Sequence, residues 1–432
     1  MNMEKLVSLC KRRGFIFQSS EIYGGMNGCW DYGPVGTELK RNIKDLWWES
    51  VVQMNDNVVG MDASILMHPR IWEASGHVDN FKDQMIDCKE CKKRFRADHL
   101  DGDKCPECGG ELTEPRAFNL MFKTHVGALE DAASVAYLRP ETAQAIFAQF
   151  LTVVNCSRQK VPFGIAQIGK SFRNEITPRN FIFRSREFEQ MELEFFVEPG
   201  TDEEWNKKWV DARIQWYKDI GITSDRLRIR EHEKEELAHY AKSCVDVEYK
   251  FPFGWQELEG IANRSDYDLS QHQEFSGKKM VYRDVVANKV FVPYVIETSA
   301  GVDRILLTVL ADAYDEEEVD GDVRVVLRFS SKVAPVKTAV FPLFKKPALR
   351  EVARKIESDV RKALPVLYDE TGSIGKRYRR QDEIGTPFCV TVDYESLEDN
   401  AVTVRFRDSM RQERVGVDKV REFILDKMDG EL

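Results

Sequence analysis

No stretch of this sequence stays apolar for the ~18 residues that a bilayer-spanning helix needs. Its opening run, MNMEKLVSLCKRRGFIF, has neither a hydrophobic signal core nor a cleavage site, so secretion is not expected. The nine cysteines are odd in number and do not read as a disulfide framework. Excess positive charge is missing too: 63 Lys and Arg against 73 Asp and Glu leave a net charge of −10. That excludes nonspecific, charge-driven binding to DNA, while leaving room for docking through a local basic patch. Internal repeats and low-complexity tracts are absent. What remains is a chain of 432 residues, 42% hydrophobic and 31% charged, long enough for two to three domains and a large core. A reducing, cytoplasmic setting without membrane contact is the expectation.

The most informative stretch is FGIAQIGKSFRNEITPRNFIFRSREFEQMELEFFV, residues 163–197. It reads as strand, long loop, strand. The first strand ends on Arg173-Asn174-Glu175 and the loop carries Arg179, Arg184 and Arg186. Along the second strand, period two puts Gln190, Glu192 and Glu194 on one face and Met191, Leu193 and Phe195 on the other, toward a core. Four arginines facing acidic and polar groups across a hairpin suit a ligand that carries both phosphate and a cation, because the guanidinium fork donates in pairs.

Residues 85–115 break the surrounding pattern. Charge rises, and Cys88-x-x-Cys91 and Cys105-x-x-Cys108 appear, with CPECGG as a knuckle turn. Paired spacing of this kind predicts a closed tetrahedral Zn²⁺ site. With all four positions filled the metal is structural, clipping an insertion too small for its own core.

Upstream, apolar residues at Leu39, Ile43, Leu46, Trp47, Val51 and Met54 predict a helix, followed by an extended run from Val58 to Met67. Residues 117–154 read as helical, with a helix from Glu141 to Val154 opened by Pro140. Further helices are predicted over 202–220 and 230–243, and extended segments over 245–260 and 281–296. The acidic run 315–322 is expected to end the core. From Val336 onward strand and helix alternate (336–341, 347–364, 366–368, 389–392, 401–407, 417–425), an α/β pattern. That tail is nearly neutral, with 19 basic and 18 acidic residues from Lys337 to Leu432. Lys376-Arg377-Tyr378-Arg379-Arg380 inside it is a candidate RNA contact or a solvated loop.

Taken together these segments resemble the class II aminoacyl-tRNA synthetases, and in detail the dimeric glycyl-tRNA synthetases. The RNE triplet, FRSREF and FEQMELEFF match the family's motif 2. EIYGGMNGCWDYGPVGTELKRN matches near the start, LRPETAQ in the middle and ETSAGVDR at the catalytic end. The resemblance implies an α+β fold, with a class II antiparallel sheet flanked by helices over 1–84 and 116–330. Motif 1 falls at 39–69, motif 2 at 163–197 and motif 3 at 294–314. A zinc-ribbon insertion at 85–115, a helical insertion at 200–245 and a C-terminal anticodon-binding domain at 336–432 complete it.

The implied activity is glycine–tRNA ligation, with ATP, glycine and tRNA(Gly) as substrates, Mg²⁺ accompanying ATP, and a homodimer built on motif 1. Glycine's carboxylate needs no general base at neutral pH, so catalysis rests on positioning and charge neutralisation. By resemblance Arg173 grips the α-phosphate, Arg184, Arg186 and Arg304 hold the β- and γ-phosphates, Phe188 stacks on adenine, and Glu257 holds Mg²⁺ with help from Glu175. Asn174, Phe183, Ser185, Glu187, Leu258, Gly301, Val302 and Asp303 complete the implied ATP site. For glycine the candidates are Glu141, Glu192 and Glu297 on the ammonium, with Gln190 adjacent. Arg96 and Arg264 are candidates for the carboxylate or for orienting those acids. Ser299 caps the space a β-carbon would fill, and Phe188, Glu189, Met191, Thr298, Ala300 and Gly301 lie around it. A prolyl or threonyl enzyme, or an inactive paralogue kept for RNA binding, are the competing readings.

Overall fold

The computed structural model describes residues 2–97, 100, 102–238 and 240–430, without the side chain of residue 429. Its centre is a seven-stranded sheet. The strands are β1 (Val58–Gly60), β2 (Phe163–Phe172), β3 (Glu187–Val197), β4 (Leu227–Glu231), β5 (Ser243–Phe251), β6 (Gly254–Ser265) and β7 (Tyr294–Gly301). Across the sheet they run in the order β4-β5-β6-β7-β3-β2-β1. All neighbours are antiparallel except the edge pair of β1 and β2. This is the antiparallel sheet expected from the sequence, with one parallel edge strand added.

Alternation along the strands divides the sheet into two faces. Met191, Leu193, Phe195, Val247, Ile261, Ile296 and Ala300 join one buried cluster. Residues of α1 (Pro34–Trp48), α3 (Asp202–Asp219) and α5 (Val302–Ala313) belong to the same cluster. On the opposite face the polar run of β3 gives way to Phe196, which packs with Phe163, Ile165 and Val295 beneath α2 (Ala143–Ser157) and α4 (Tyr267–Ser276). That apolar end closes off a polar cavity. Gly169 on β2 marks a close approach: a Cβ there would sit 2.2 Å from the buried Arg139 guanidinium.

Several local expectations are corrected. Residues 117–142 hold short strands (Arg116–Asn119, Lys123–His125, Val135–Tyr137), and the helix starts only at Ala143. No helix lies among the described residues of 230–243; β4 ends at Glu231 and turns follow. The apolar residues there are too sparse to bury a helical stripe. The proposed helical insertion is thus one helix, α3, plus a strand and a loop, and its buried Arg213 pairs with Glu259 of β6 at 2.7 Å. α4 was not anticipated. The acidic run 315–322 forms a hairpin, Tyr314–Val319 with Asp322–Leu327.

The C-terminal unit is a mixed five-stranded sheet of β8 (Thr338–Pro342), β9 (Val366–Tyr368), β10 (Phe388–Val392), β11 (Ala401–Phe406) and β12 (Gln412–Gly416), ordered β9-β8-β10-β11-β12. It carries α6 (Pro347–Val360), α7 (Ile374–Ile384) and α8 (Val420–Asp429). α7 replaces the loop expected around the basic cluster. Arg377 is buried and donates to the carbonyls of Pro342, Leu343 and Gly372, and Arg380 is bound to Asp369. Tyr378 packs edge-on against Phe341 and its hydroxyl meets Thr391 at 2.6 Å, so its ring is not free to stack on a base.

Buried arginines join this unit to the core. Arg324, on the core hairpin, reaches both carboxylate oxygens of Asp382 at 2.8 Å and the Arg407 carbonyl at 2.6 Å. Arg405 holds the same carboxylate at 2.9 and 3.2 Å. Arg407 donates to the carbonyls of Gly385 and Phe329. The two arginines hold the Asp382 carboxyl below its ordinary value even though burial opposes them. Arg324→Met strands part of that charge and should lower stability by about 3 kcal/mol, read as an earlier urea midpoint. An unchanged midpoint would contradict the clamp.

Candidate active site

β3, β7 and β6 lie side by side with Glu192 opposite Ser299, Ser299 opposite Gly260, Glu194 opposite Glu297, and Glu297 opposite Ala262. One face of these strands lines a cavity of about 320 Å³ that holds Glu141, Gln190, Glu192, Glu297 and Ser299 at one end. Arg173, Glu175, Arg184, Glu257 and Arg304 line the other. Both halves of the expected site therefore share one chamber. Met191, Thr298 and Ala300 were also expected at the glycine end. Alternation turns their side chains to the opposite face, and none lines the cavity.

At the acidic end, crowding is relieved by one cation. Arg264 is buried and spends both edges of its fork on Asp268, at 2.7 and 2.8 Å, and on Glu297, at 2.9 Å. Of the two roles open to it, orienting the acids is the one its contacts fit. The Tyr240 ring lies 3.9 Å from its guanidinium. Glu141 meets His77 at 3.2 Å and Gln144 at 3.0 Å, and Gln144 also donates to Asp268. Glu192 accepts from the Thr142 amide at 3.0 Å and from its hydroxyl. Gln190 lies 3.3 Å from Ser299.

Burial pushes the Glu297 carboxyl up to about 8; Arg264 opposes the rise and the charges of Glu192 and Glu141 add to it. Burial, then Glu141, raises Glu192 as well. Burial opposes but does not overcome the pull of His77, Arg264 and Gln144 on Glu141, which stays below the carboxylate range. Glu194 is fully buried, has no hydrogen-bond partner on either oxygen among the described residues, and is held well above its ordinary value by burial and Glu297.

At the basic end Arg304, from the first turn of α5, meets Glu257 at 3.1 Å and lies 4.6 Å over the Phe183 ring. Arg304 draws the half-exposed Glu257 below the usual carboxylate range. Arg173 donates to the Pro140 carbonyl and sits 5.4 Å from both Phe188 and Phe81. Burial first, then the positive charges of Arg96, Arg179 and Arg304, hold Arg184 below its ordinary value against the pull of Glu175. Cations crowded this closely repel one another, a cost that a bound anion would relieve. Arg96 belongs to this end: it pairs with Asp83 at 3.0 Å and does not line the acidic nook.

Other expected ATP-site residues support the chamber from outside it. Arg186 donates to the carbonyls of Asn27 and Glu175, Glu187 pairs with Lys170, and Leu258 and Val302 are core. The Asn174 amide donates to the Leu120 carbonyl. Glu189 faces away from the cavity and binds Lys40 at 2.7 Å and Lys44 at 3.0 Å. Lys40 also reaches Asp303 at 3.2 Å, and Asp303 accepts from the Glu189 amide and from Tyr32. One buried lysine of α1 thus fixes β3 and α5 together. Sequence reasoning missed Lys40, His77, Gln144, Tyr240 and Asp268. Only Asp268 carried a signal, four residues after Arg264.

In the small insertion, Lys82–Asp87, Arg94–Arg96 and Arg116–Asn119 make a three-stranded sheet. The sulfurs of Cys88, Cys91, Cys105 and Cys108 all lie within 4.8 Å of one another, and Cys88–Cys108 and Cys91–Cys105 stand at 3.5 and 3.7 Å. The cysteines are thiols, not disulfides.

Residues 122–313 match the tRNA synthetase class II core domain (G, H, P, S and T), and 333–427 match the anticodon binding domain. A glycine–tRNA ligase of Treponema denticola is 58% identical, covering 96% of this chain and 94% of that protein. The glycine–tRNA ligase of Borreliella burgdorferi is 56% identical over 98% and 97%, and that of Thermobifida fusca 54% over 99% and 98%. The chain belongs to the glycine–tRNA ligase family. Among the described residues no helix is long and apolar enough to cross a membrane.

Arg264→Met leaves Asp268 and Glu297 without their shared cation and should cost about 3–5 kcal/mol. Glu297 keeps its proton in the folded chain up to about pH 8 and loses it near its ordinary value when unfolded. Unfolding therefore releases a proton in that window, and this group's contribution to stability falls as pH rises. The variant's deficit should be smaller at about pH 6 than at about pH 8; equal deficits in denaturant titrations at the two values would contradict the assignment.

Proposed function

We propose that the chain joins glycine to tRNA(Gly) in two steps within this one cavity, with the roles of its residues as follows. Glycine's ammonium lies among Glu141, Glu192 and Glu297, where a cation offsets carboxylates that otherwise repel. Ser299 and Gln190 close the nook against a β-carbon. Inserting a methylene into a tight site costs on the order of 1–3 kcal/mol, so the smallest amino acid is selected by space alone. A glycine carboxylate oxygen attacks the α-phosphorus, the bond to the β-phosphate's bridging oxygen breaks, and pyrophosphate leaves. Arg173 neutralises charge at the α-phosphate, and Arg184 and Arg304 hold the outer phosphates. The terminal ribose hydroxyl of tRNA then attacks the carbonyl carbon, loses its proton, and AMP departs.

Mg²⁺, when bound, neutralises triphosphate charge. Glu257 and Glu175 fit it, since Mg²⁺ takes one or two carboxylates plus phosphate oxygens. Glu175 lines the cavity with its carboxylate 3.7 Å from the Arg184 guanidinium, within the region proposed for the phosphates. The Cys88, Cys91, Cys105 and Cys108 sulfurs fit Zn²⁺: a tetrahedron with bonds of about 2.3 Å has edges of about 3.8 Å, near the spacings above. We assign the C-terminal unit to the anticodon. Of its basic cluster, exposed Lys376 and half-buried Arg379 are the side chains left for RNA. A homodimer is supported by the apolar Ile22, Tyr23 and Met26, exposed in the segment leading into α1.

The observation that carries this reading is the convergence of three carboxylates and three arginines on one chamber. Glycine-dependent exchange of pyrophosphate into ATP tests it. Arg173→Ala should lose exchange while keeping its fold by circular dichroism, and exchange with proline or threonine instead of glycine would refute the substrate. Cys105→Ser should release one zinc per chain and open the insertion to proteolysis within 85–115, with measurable exchange retained. Abolished exchange in a folded variant would show that the metal reaches the chemistry.

A further inference from the structure

The cavity holds a second cluster that neither glycine nor ATP uses in the scheme above. Cys244 and Asp246 sit two apart on β5 and so share its cavity face. His232 follows the end of β4, and its amide donates to the Cys244 carbonyl at 3.0 Å, which fixes the ring beside them. One ligand atom from each of the three side chains lies within 4.8 Å of the other two, and all three residues line the cavity. His232 Nε2 and Asp246 Oδ2 are 2.7 Å apart.

The next strand leaves room above them. Gly260 is Asp246's partner and Ala262 is Cys244's, the smallest residues on that face. A Cβ at Gly260 would come no nearer than 3.9 Å to Asp246. Beyond them stand Ser299 and Glu297, so the cluster is two strands, roughly 10 Å, from the acidic nook. Around it are Arg230, 3.8 Å from Asp246 but paired to Glu236, and the carboxylate of Glu257, whose charge acts on Asp246.

We propose that His232, Cys244 and Asp246 form a second transition-metal site, three-liganded and open to the cavity, suited to Zn²⁺ or Co²⁺. Imidazole, thiolate and carboxylate together favour a borderline ion over Mg²⁺. Tetrahedral bonds of about 2.1 Å put nitrogen and oxygen about 3.4 Å apart, so the histidine and aspartate need separate by less than an ångström. Binding displaces the thiol proton, and the fourth position is left to water or to a ligand in the chamber. The site is separate from the four-cysteine cluster and independent of it.

Titrating full-length protein that carries a single zinc per chain, the four-cysteine cluster filled and excess zinc removed, with Co²⁺ tests this. One further equivalent per chain should bind, with a sulfur-to-cobalt charge-transfer band in the near ultraviolet. Cys244→Ser should abolish the band, and Asp246→Asn and His232→Ala should each weaken binding at least tenfold. Cys156→Ser, altering an exposed thiol elsewhere, should change nothing. Circular dichroism of each variant before cobalt is added checks that the fold survives. Absence of the extra equivalent in the wild type, or a band that persists in Cys244→Ser, overturns the proposal. Because the readout is metal binding, its failure leaves the glycine assignment untouched, and failure of glycine-dependent exchange leaves this site standing.

Discussion

Arg264 is the residue on which the acidic end of the cavity depends. Three cavity-lining carboxylates crowd one small volume, with a fourth, Glu194, behind them, and Glu192, Glu194 and Glu297 are buried. Unpaired, that arrangement would neutralise itself by taking up protons. A single guanidinium with both edges committed keeps Glu297 and Asp268 in place, while His77, Gln144 and Thr142 secure the rest. The nook is left short of one positive charge, and that deficit is what a small ammonium can supply.

The basic end follows the opposite logic. Arg173 follows the end of β2, Arg184 comes from the loop and Arg304 from a helix, and Arg96 and Arg179 add charge from nearby. Glu257 and Glu175 moderate that charge without cancelling it. Lys40 fixes the relation between the two ends, because it binds both Glu189, which faces away from the cavity between the lining residues Phe188 and Gln190, and Asp303, which lines the cavity beside Arg304. A helix outside the chamber thus sets the spacing inside it.

Much of this was legible in the chain. Period two along residues 187–197 separated Gln190 and Glu192 from Met191 and Leu193, and the structure keeps that division. The cysteine spacing located the small insertion, and strand–helix alternation located the C-terminal unit. Failures arose where tertiary contacts decide. Residues 230–243 are charged enough to look like an exposed helix, yet His232, Glu236, Ala238, Tyr240 and Ala241 line the cavity. Arg377 and Tyr378 looked like an RNA contact because charge and an aromatic occurred together, whereas the fold consumes both in packing. His77 gave no local sign at all, since its partner Glu141 lies 64 positions away. Met191, Thr298 and Ala300 were placed by proximity in sequence, which a pleated strand does not respect.

The arginine clamp around Asp382 has a consequence for how distance is gauged. On the proposed assignment of the C-terminal unit to the anticodon, a tRNA engages this molecule at two remote points, and the span between them must suit both. With Arg324, Arg405 and Arg407 sealed in the joint, swinging the C-terminal unit outward would uncover several charges together. On that assignment the joint acts as a fixed gauge, and an RNA of the wrong length must itself bend to be served.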